Sequence, residues 1–394
     1  MSVIVQKYGG SSVADVEKIG LVADRICAAR DEGYGVVVVV SAMGKTTDEL
    51  LALARRIDPN PPRRELDLLL STGERVSMTL LSMALQRRGC DAISFTGSQS
   101  GILTNDWHFD AKILEVRPVR VLDELARGRV VIVAGYQGMS YKREVTTLGR
   151  GGSDTTALAM AAALGAERAE IYSDVDGVYS ADPRVVPEAQ HLPELSYLEM
   201  QSMSDAGAKV LHAPAVEFAR SKEIPVHCRA TFAAGRETVI SPHALTHPRA
   251  FAVVGQPGVA RVWVTGSDRE RRIALQATRS LGLTPFEETR GDTVTELRLA
   301  TAHAPDWGRT LAALTAEPGI TVEEGVGRVS LVGGSAEMQR AALRATLADA
   351  GIEALDVAVD TRAERVSALV AAAVLDDAVR ALHAGVVLAS EHDD

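Results

Sequence analysis

Hydrophobic positions along the first 230 residues alternate between two rhythms. Short β-branched runs predict strands at Val3–Tyr8, Val36–Ser41, Ala92–Thr96, Val130–Ala134, Glu170–Ser173 and Pro225–Cys228. Between them, apolar residues recur at helical spacing over Val16–Ala29, Leu66–Arg88 and Thr155–Leu164. Val36 to Val40 has no polar alternation, the mark of a strand buried on both faces. Strand–helix alternation of this kind predicts an α/β domain with a mostly parallel sheet between helix layers. Phe232 to Pro248 breaks both rhythms and holds Gly235, Pro242 and Pro248, so it reads as a linker.

Beyond it the pattern changes to two tandem β-α-β-β-α-β units. The first runs through Val262–Thr265, a helix near Asp268–Leu281, Thr284–Thr289, Thr293–Ala300, helix Trp307–Ala316 and Ile320–Glu323. The second runs through Val329–Val332, helix Glu337–Ala350, Glu353–Val359, Val366–Ala372, helix Leu375–His383 and a last strand at Gly385–Leu388. The expected domains are therefore residues 1–232, a linker over 233–249, and small α+β modules over 250–325 and 326–394.

Composition narrows the function classes. A net charge of −10 opposes non-specific binding to nucleic acid. The longest apolar run, Val36–Val40, has strand length and cannot span a bilayer. Three cysteines, Cys27, Cys90 and Cys228, are scattered without metal-ligand spacing, as in a protein of a reducing compartment. The first strand begins at once, with no basic segment and long apolar stretch before it, so a cytoplasmic protein is expected.

Two glycine-containing junctions carry the chemistry. Lys7 closes the first strand and is followed by Tyr8-Gly9-Gly10-Ser11, where glycines admit a phosphate and a lysine can neutralise transferring charge. The spacing is neither that of a Walker loop nor of a dinucleotide-binding turn. The second junction, Thr146-Thr147-Leu148-Gly149-Arg150-Gly151-Gly152-Ser153-Asp154, precedes an alanine-rich helix. Glycines ahead of a helix present backbone amides to an anion, and Arg150 adds a fork for carboxylate or phosphate.

These blocks resemble the aspartokinases in order and spacing. The resemblance rests on Lys7 to Val13, Ser41 to Gly44 with Thr46 to Asp48, Thr72 to Arg75, Phe95 to Gln99 and the Arg150 segment. It continues through Tyr172 to Tyr179, Ala181 to Arg184 and Gly207 to His212, covering about residues 1–232. It implies an amino-acid-kinase fold followed by ACT-type modules, and ATP-dependent phosphorylation of the β-carboxylate of L-aspartate. By resemblance, Lys7, Glu74, Arg150 and Asp154 are the catalytic set. Ser41, Thr47, Glu74, Arg150, Gly151, Gly152 and Ser153 would hold aspartate, with Glu74 meeting its ammonium. Lys7, Gly9, Gly10, Ser11, Ser173, Asp174, Tyr179, Asp182, Arg184, Lys209 and Val210 would hold ATP. Mg²⁺ is implied by ATP chemistry rather than by any protein ligand cluster. No methionine falls between Met203 and Met338 to start a separate regulatory subunit, so a homo-oligomer formed through the ACT-like modules is expected, with neither nucleic acid nor membrane as partner.

The likeness thins past residue 250. The first strand-to-helix junction of the tail reads Thr265-Gly266-Ser267-Asp268-Arg269 and a later strand start reads Leu283-Thr284-Pro285. Both depart from the family's effector signatures, which implies weakened or absent feedback by lysine and threonine. Two other readings stand beside this one: a kinase of another acidic metabolite on the same fold, and a catalytically silent sensor built on the tail.

Overall fold

The computed structural model describes residues 2–388 apart from 150, 234, 244–246, 248, 281–284 and 305–306. Arg150, Leu283 and Thr284 therefore lie outside the described residues. The chain forms two compact units: Met1–Val178, Leu192–Met200 and Val210–Leu245 make the first, and Tyr179–His191, Gln201–Lys209 and Thr246–Asp394 the second. No helix among the described residues is long and apolar enough to cross a membrane.

The chain up to residue 245 contains β1 (Val3–Tyr8), β2 (Gly35–Val40), β3 (Ala92–Phe95), β4 (Ile102–Thr104), β5 (Ile113–Val116), β6 (Val130–Ala134) and β7 (Gln137–Ser140). It continues with β8 (Val145–Thr147), β9 (Arg168–Ser173), β10 (Val178–Tyr179), β11 (His191–Leu192), β12 (Glu194–Leu195), β13 (Val226–Ala230) and β14 (Glu237–Ile240). The helices are α1 (Val16–Asp31), α2 (Thr46–Ile57), α3 (Arg63–Arg87), α4 (Val119–Ala126), α5 (Gly152–Leu164), α6 (Tyr197–Ala206) and α7 (Ala213–Ser221).

The main sheet has the order β12-β14-β13-β9-β1-β2-β6-β3, and its six strands from β13 to β3 run parallel. A smaller sheet, β5-β4-β7-β8, carries the chain into α5. Every residue of β2 is buried, as its unbroken valine run requires. Each such side chain contributes about 1.5–3 kcal/mol by leaving water. Asp15 caps α1 by accepting the Lys18 amide at 2.8 Å. Helix α5 is apolar on all sides and is buried from Gly152 to Ala161 except at Ser153. Strand β14 lies inside the stretch read as a linker, pairing antiparallel with β13.

The second unit holds β15 (Ala252–Thr265), α8 (Asp268–Ser280), β16 (Glu287–Arg290), β17 (Val294–Ala300), α9 (Trp307–Ala316) and β18 (Ile320–Val332). It ends with α10 (Ala336–Asp349), β19 (Asp356–Asp360), β20 (Arg365–Ala371) and α11 (Leu375–Leu382). All six strands join one antiparallel sheet, β16-β17-β15-β18-β20-β19. Two expectations need correction here. Residues 385–388 are not a strand but the end of a π-helical turn, His383–Leu388. Their place beside β18 is taken by the first half of β15, with Ala252 opposite Val332 and Gln256 opposite Arg328. A short apolar run such as Gly385-Val-Val-Leu has no period to separate strand from helix, and Val387 buries itself in the core either way. The last strand of the first module and the first strand of the second are likewise one element, β18, which runs through Val326.

Candidate active site

In the first unit, the parallel strands β9, β1, β2 and β6 lie side by side, so their carboxyl ends share one edge of the sheet, the edge at which open α/β sheets bind ligands. β1 delivers Lys7, whose ammonium lies 2.7 Å from the Asp154 carboxylate. Both side chains are largely buried, 11% and 13% exposed, which strengthens their attraction relative to a surface pair. Asp154 does not cap α5. Gly151 occupies that position, and Asp154 sits in the first helical turn, where a carboxylate also meets the helix dipole favourably.

The Gly9-Gly10 turn is drawn tight against the next loop. The Gly44 amide donates to the Gly10 carbonyl at 3.0 Å, and a Cβ on Gly10 would stand 2.9 Å from the Ala42 carbonyl oxygen. Gly9 donates to the Tyr172 carbonyl at 3.2 Å, tying the turn to β9. Gly151 is the second indispensable glycine. Its φ of +69° is left-handed, and any Cβ there would collide with the His212 side chain.

Glu74 comes up from α3 and is 3% exposed. Its Oε1 accepts the Ala42 amide at 3.2 Å, while Oε2 is buried without a hydrogen-bond partner among the described residues. Burial raises its pKa to about 7, against the weaker opposing effect of backbone hydrogen bonds. An arriving cation would satisfy Oε2 and return the group to its ionised form. Ser41 and Thr47, half-buried, stand on the neighbouring loop and the first turn of α2. The Ser41 amide donates to the Tyr8 carbonyl at 3.1 Å, and its carbonyl accepts the Ser77 hydroxyl at 2.7 Å.

The nucleotide residues expected from sequence divide between the units. Lys7, Gly9, Gly10, Ser11, Ser173, Asp174 and Val210 belong to the first. Ser11 lies exposed in a short 3-10 turn, and Ser173 closes β9, its hydroxyl accepting the Val175 amide at 3.2 Å. Tyr179, Asp182, Arg184 and Lys209 belong to the second. There Arg184 and Asp182 form a bidentate pair, with nitrogen–oxygen distances of 2.9 and 2.7 Å, and the guanidinium holds the Asp182 carboxyl below its usual range. Tyr179 meets the His191 ring edge to face at 5.4 Å. Lys209 is exposed, two residues past Gly207 at φ +109°.

Sequence reasoning missed a buttress on the opposite face of β1 and β9. Tyr8 and Tyr172 stack with ring centroids 4.8 Å apart, and the Arg25 guanidinium lies 4.7 Å from the Tyr172 ring. Glu170 beneath them accepts from Gln6 at 2.8 Å and Tyr172 at 3.0 Å, and pairs with Arg168 and Arg229. Period-2 alternation in Gln6-Lys7-Tyr8 and Glu170-Ile171-Tyr172 was the available signal. Among the described residues no three His, Cys, Asp or Glu side chains gather as a metal site.

Residues 2–230 match the amino acid kinase family. The chain is 43% identical to an aspartokinase of Mycolicibacterium smegmatis over 97% of this chain and 96% of that protein. It is 41% identical to an aspartokinase of Corynebacterium glutamicum, over 100% and 98% of the two chains. In fold it resembles the crystal structure of E. coli aspartokinase III in complex with aspartate and ADP, at a TM-score of 0.83 and 24% identity, over 97% and 99% of the chains.

Proposed function

Since the chain belongs to the aspartokinases of the amino acid kinase family, we propose that it transfers the γ-phosphoryl group of ATP to the β-carboxylate of L-aspartate. Glu74 carries the reading. A buried carboxylate with one oxygen left open is wasteful beside a plain dicarboxylic acid and useful beside an α-ammonium.

The acceptor needs no general base, because a carboxylate with a pKa near 3.9 is already ionised at neutral pH. One β-carboxylate oxygen attacks the γ-phosphorus, the bond to the β–γ bridging oxygen breaks, and ADP leaves with that oxygen. The protein's contribution is position and charge. Lys7, aimed by Asp154, faces the transferring group, and the amino end of α5 adds its helix dipole. Arg150 with Gly151 to Ser153 takes the α-carboxylate, Glu74 the ammonium, and Ser41 and Thr47 supply hydroxyls. Gly9 to Ser11, Ser173, Asp174 and Val210 serve the nucleotide, joined by Tyr179, Asp182, Arg184 and Lys209 on the strength of family resemblance. Mg²⁺ enters with ATP, bound chiefly by phosphate oxygens.

The reaction opens the aspartate-derived amino-acid pathway, in the cytoplasm, and the ACT-like modules serve homo-oligomer formation. Feedback by lysine or threonine is weakened. Support comes from the first junction of the tail, where Glu270 accepts the Ser267 amide at 2.8 Å and its hydroxyl at 2.7 Å. A carboxylate of the chain thus sits where a helix end would otherwise receive an effector's carboxylate.

ADP release measured with L-aspartate, N-acetyl-L-aspartate and succinate tests the reading. L-aspartate alone supports turnover in this account. Equal rates with N-acetyl-L-aspartate or succinate would remove the role given to Glu74 and with it the substrate.

A further inference from the structure

A second buried carboxylate lies two helical turns before Glu74 on the same face of α3, and the reaction above makes no use of it. Asp67 is fully buried, and among the described residues neither Lys nor Arg neutralises it. Its Oδ1 accepts the Thr147 hydroxyl at 2.6 Å and the Phe109 amide at 3.1 Å. Its Oδ2 lies 2.6 Å from His108 Nδ1, which must donate to an ionised partner. Burial pushes the Asp67 pKa up, and the Thr147 and His108 hydrogen bonds pull against that rise.

These donors come from two segments that meet just ahead of the turn into α5. Thr147 is the last residue of β8, and its carbonyl accepts the Ala111 amide at 2.9 Å. Phe109 is held at φ +76°, a conformation that costs energy for a phenylalanine and needs outside support. Leu148 donates to the Tyr136 carbonyl at 2.9 Å, so the loop leaves a point fixed on three sides.

We infer that Asp67 is a positioning residue that sets the enzyme's choice of amino acid. The inference rests on the proposed aspartate kinase activity. Helix α3 carries Glu74, assigned to the substrate ammonium, and β8 leads into the loop assigned to its α-carboxylate. The Asp67–Thr147 bond ties these two carriers into one frame. That frame fixes the substrate's Cα and hence how far its side-chain carboxylate reaches toward the γ-phosphoryl group. A rigid frame favours a side chain of one length, and a loosened frame admits one methylene more.

The test compares wild type with Asp67→Asn, Thr147→Val and Thr147→Ser, measuring KM for aspartate, KM for MgATP and kcat/KM for aspartate against glutamate. Asp67→Asn and Thr147→Val should raise the aspartate KM about tenfold or more, leave the ATP KM within about twofold, and lower the aspartate-to-glutamate ratio. Thr147→Ser, which keeps the hydroxyl, should behave as wild type. Should Asp67→Asn fail to fold, Thr147→Val against Thr147→Ser decides alone. Parallel changes in both KM values, or reduced thermal stability with an unchanged aspartate-to-glutamate ratio, would show a structural staple and overturn the inference. Wild-type protein inactive on aspartate would sink the proposed function as well, whereas active wild type with unbiased variants sinks only this role for Asp67.

Discussion

The Lys7 ammonium and the Asp154 carboxylate face each other at 2.7 Å across the junction between β1 and the start of α5. One residue closes the first strand of the sheet and the other stands in a helix more than a hundred residues later, so the pair fixes the cation in a direction as well as a place. In this account that direction is toward the transferring phosphoryl group. Lys7→Ala should lower kcat about 10²–10³-fold, the usual effect of removing one preorganised electrostatic group. Asp154→Asn should lower kcat less while keeping the fold, as followed by circular dichroism. Unchanged kcat in Lys7→Ala at saturating substrates would show that the lysine is not at the reaction centre.

The raised pKa of Glu74, about 7, predicts a pH dependence with a definite sign. Below that value the carboxyl is protonated and has lost its attraction for the substrate ammonium. The acid limb of kcat/KM for aspartate should therefore bend near pH 7, and Glu74→Gln should lose that bend along with most aspartate affinity. The same pKa bears on stability. Folding binds this proton more tightly than the unfolded chain does, so Glu74's stabilising effect is complete below about 4.5 and disappears as pH rises through about 7. Without substrate, Glu74→Gln should equal or exceed wild type in melting temperature at pH 8 and match it near pH 4. A variant less stable than wild type at pH 8 would show that the carboxylate is satisfied in the free protein.

Gly151 tests the geometry of the loop independently of charge. Gly151→Ala must either force a left-handed alanine against His212 or move the loop. The expected cost is about 1–3 kcal/mol in unfolding free energy, with a larger proportional loss in aspartate affinity than in ATP affinity. Chemical denaturation and the two KM values measure both.

Arg150→Ala should raise the KM for aspartate by two orders of magnitude or more, about 3 kcal/mol for a charge-assisted pair, while nucleotide binding by calorimetry stays near wild type. Weakened ATP binding would move Arg150 to the phosphates.

The divergent junction at Thr265 to Arg269 predicts that lysine and threonine, singly or together at 1 mM (roughly the scale of a weak small-molecule site), leave activity within twofold. Sub-millimolar inhibition by either would show that the altered signature still receives an effector.

The sequence displayed the parallel sheet because β2 and β6 are unbroken apolar runs. Lys7, Glu74 and the Gly151–Asp154 segment stood out as candidates because their chemistry is written in local motifs, and the fold brings Lys7 and Asp154 together. Asp67 was hidden: one carboxylate among leucines on a long helix looks like a solvated position until the fold places Thr147 and His108 against it. The sheet of the second unit was only half legible. Local periodicity cannot show that Ala252–Gln256 comes in beside β18, because such pairing is set by contacts distant in sequence. Cys27 and Cys90 were hidden for the same reason: far apart in the chain, they meet in the fold, where burial and the neighbouring sulfur push the Cys90 thiol up to about 11.

The most direct measurement is aspartyl hydroxamate formation by purified protein given MgATP, L-aspartate and hydroxylamine. The account predicts ATP-dependent hydroxamate from L-aspartate, formed about 10²–10³-fold more slowly by Lys7→Ala. Hydroxamate from another acid but none from aspartate, or none from any acid, would contradict it.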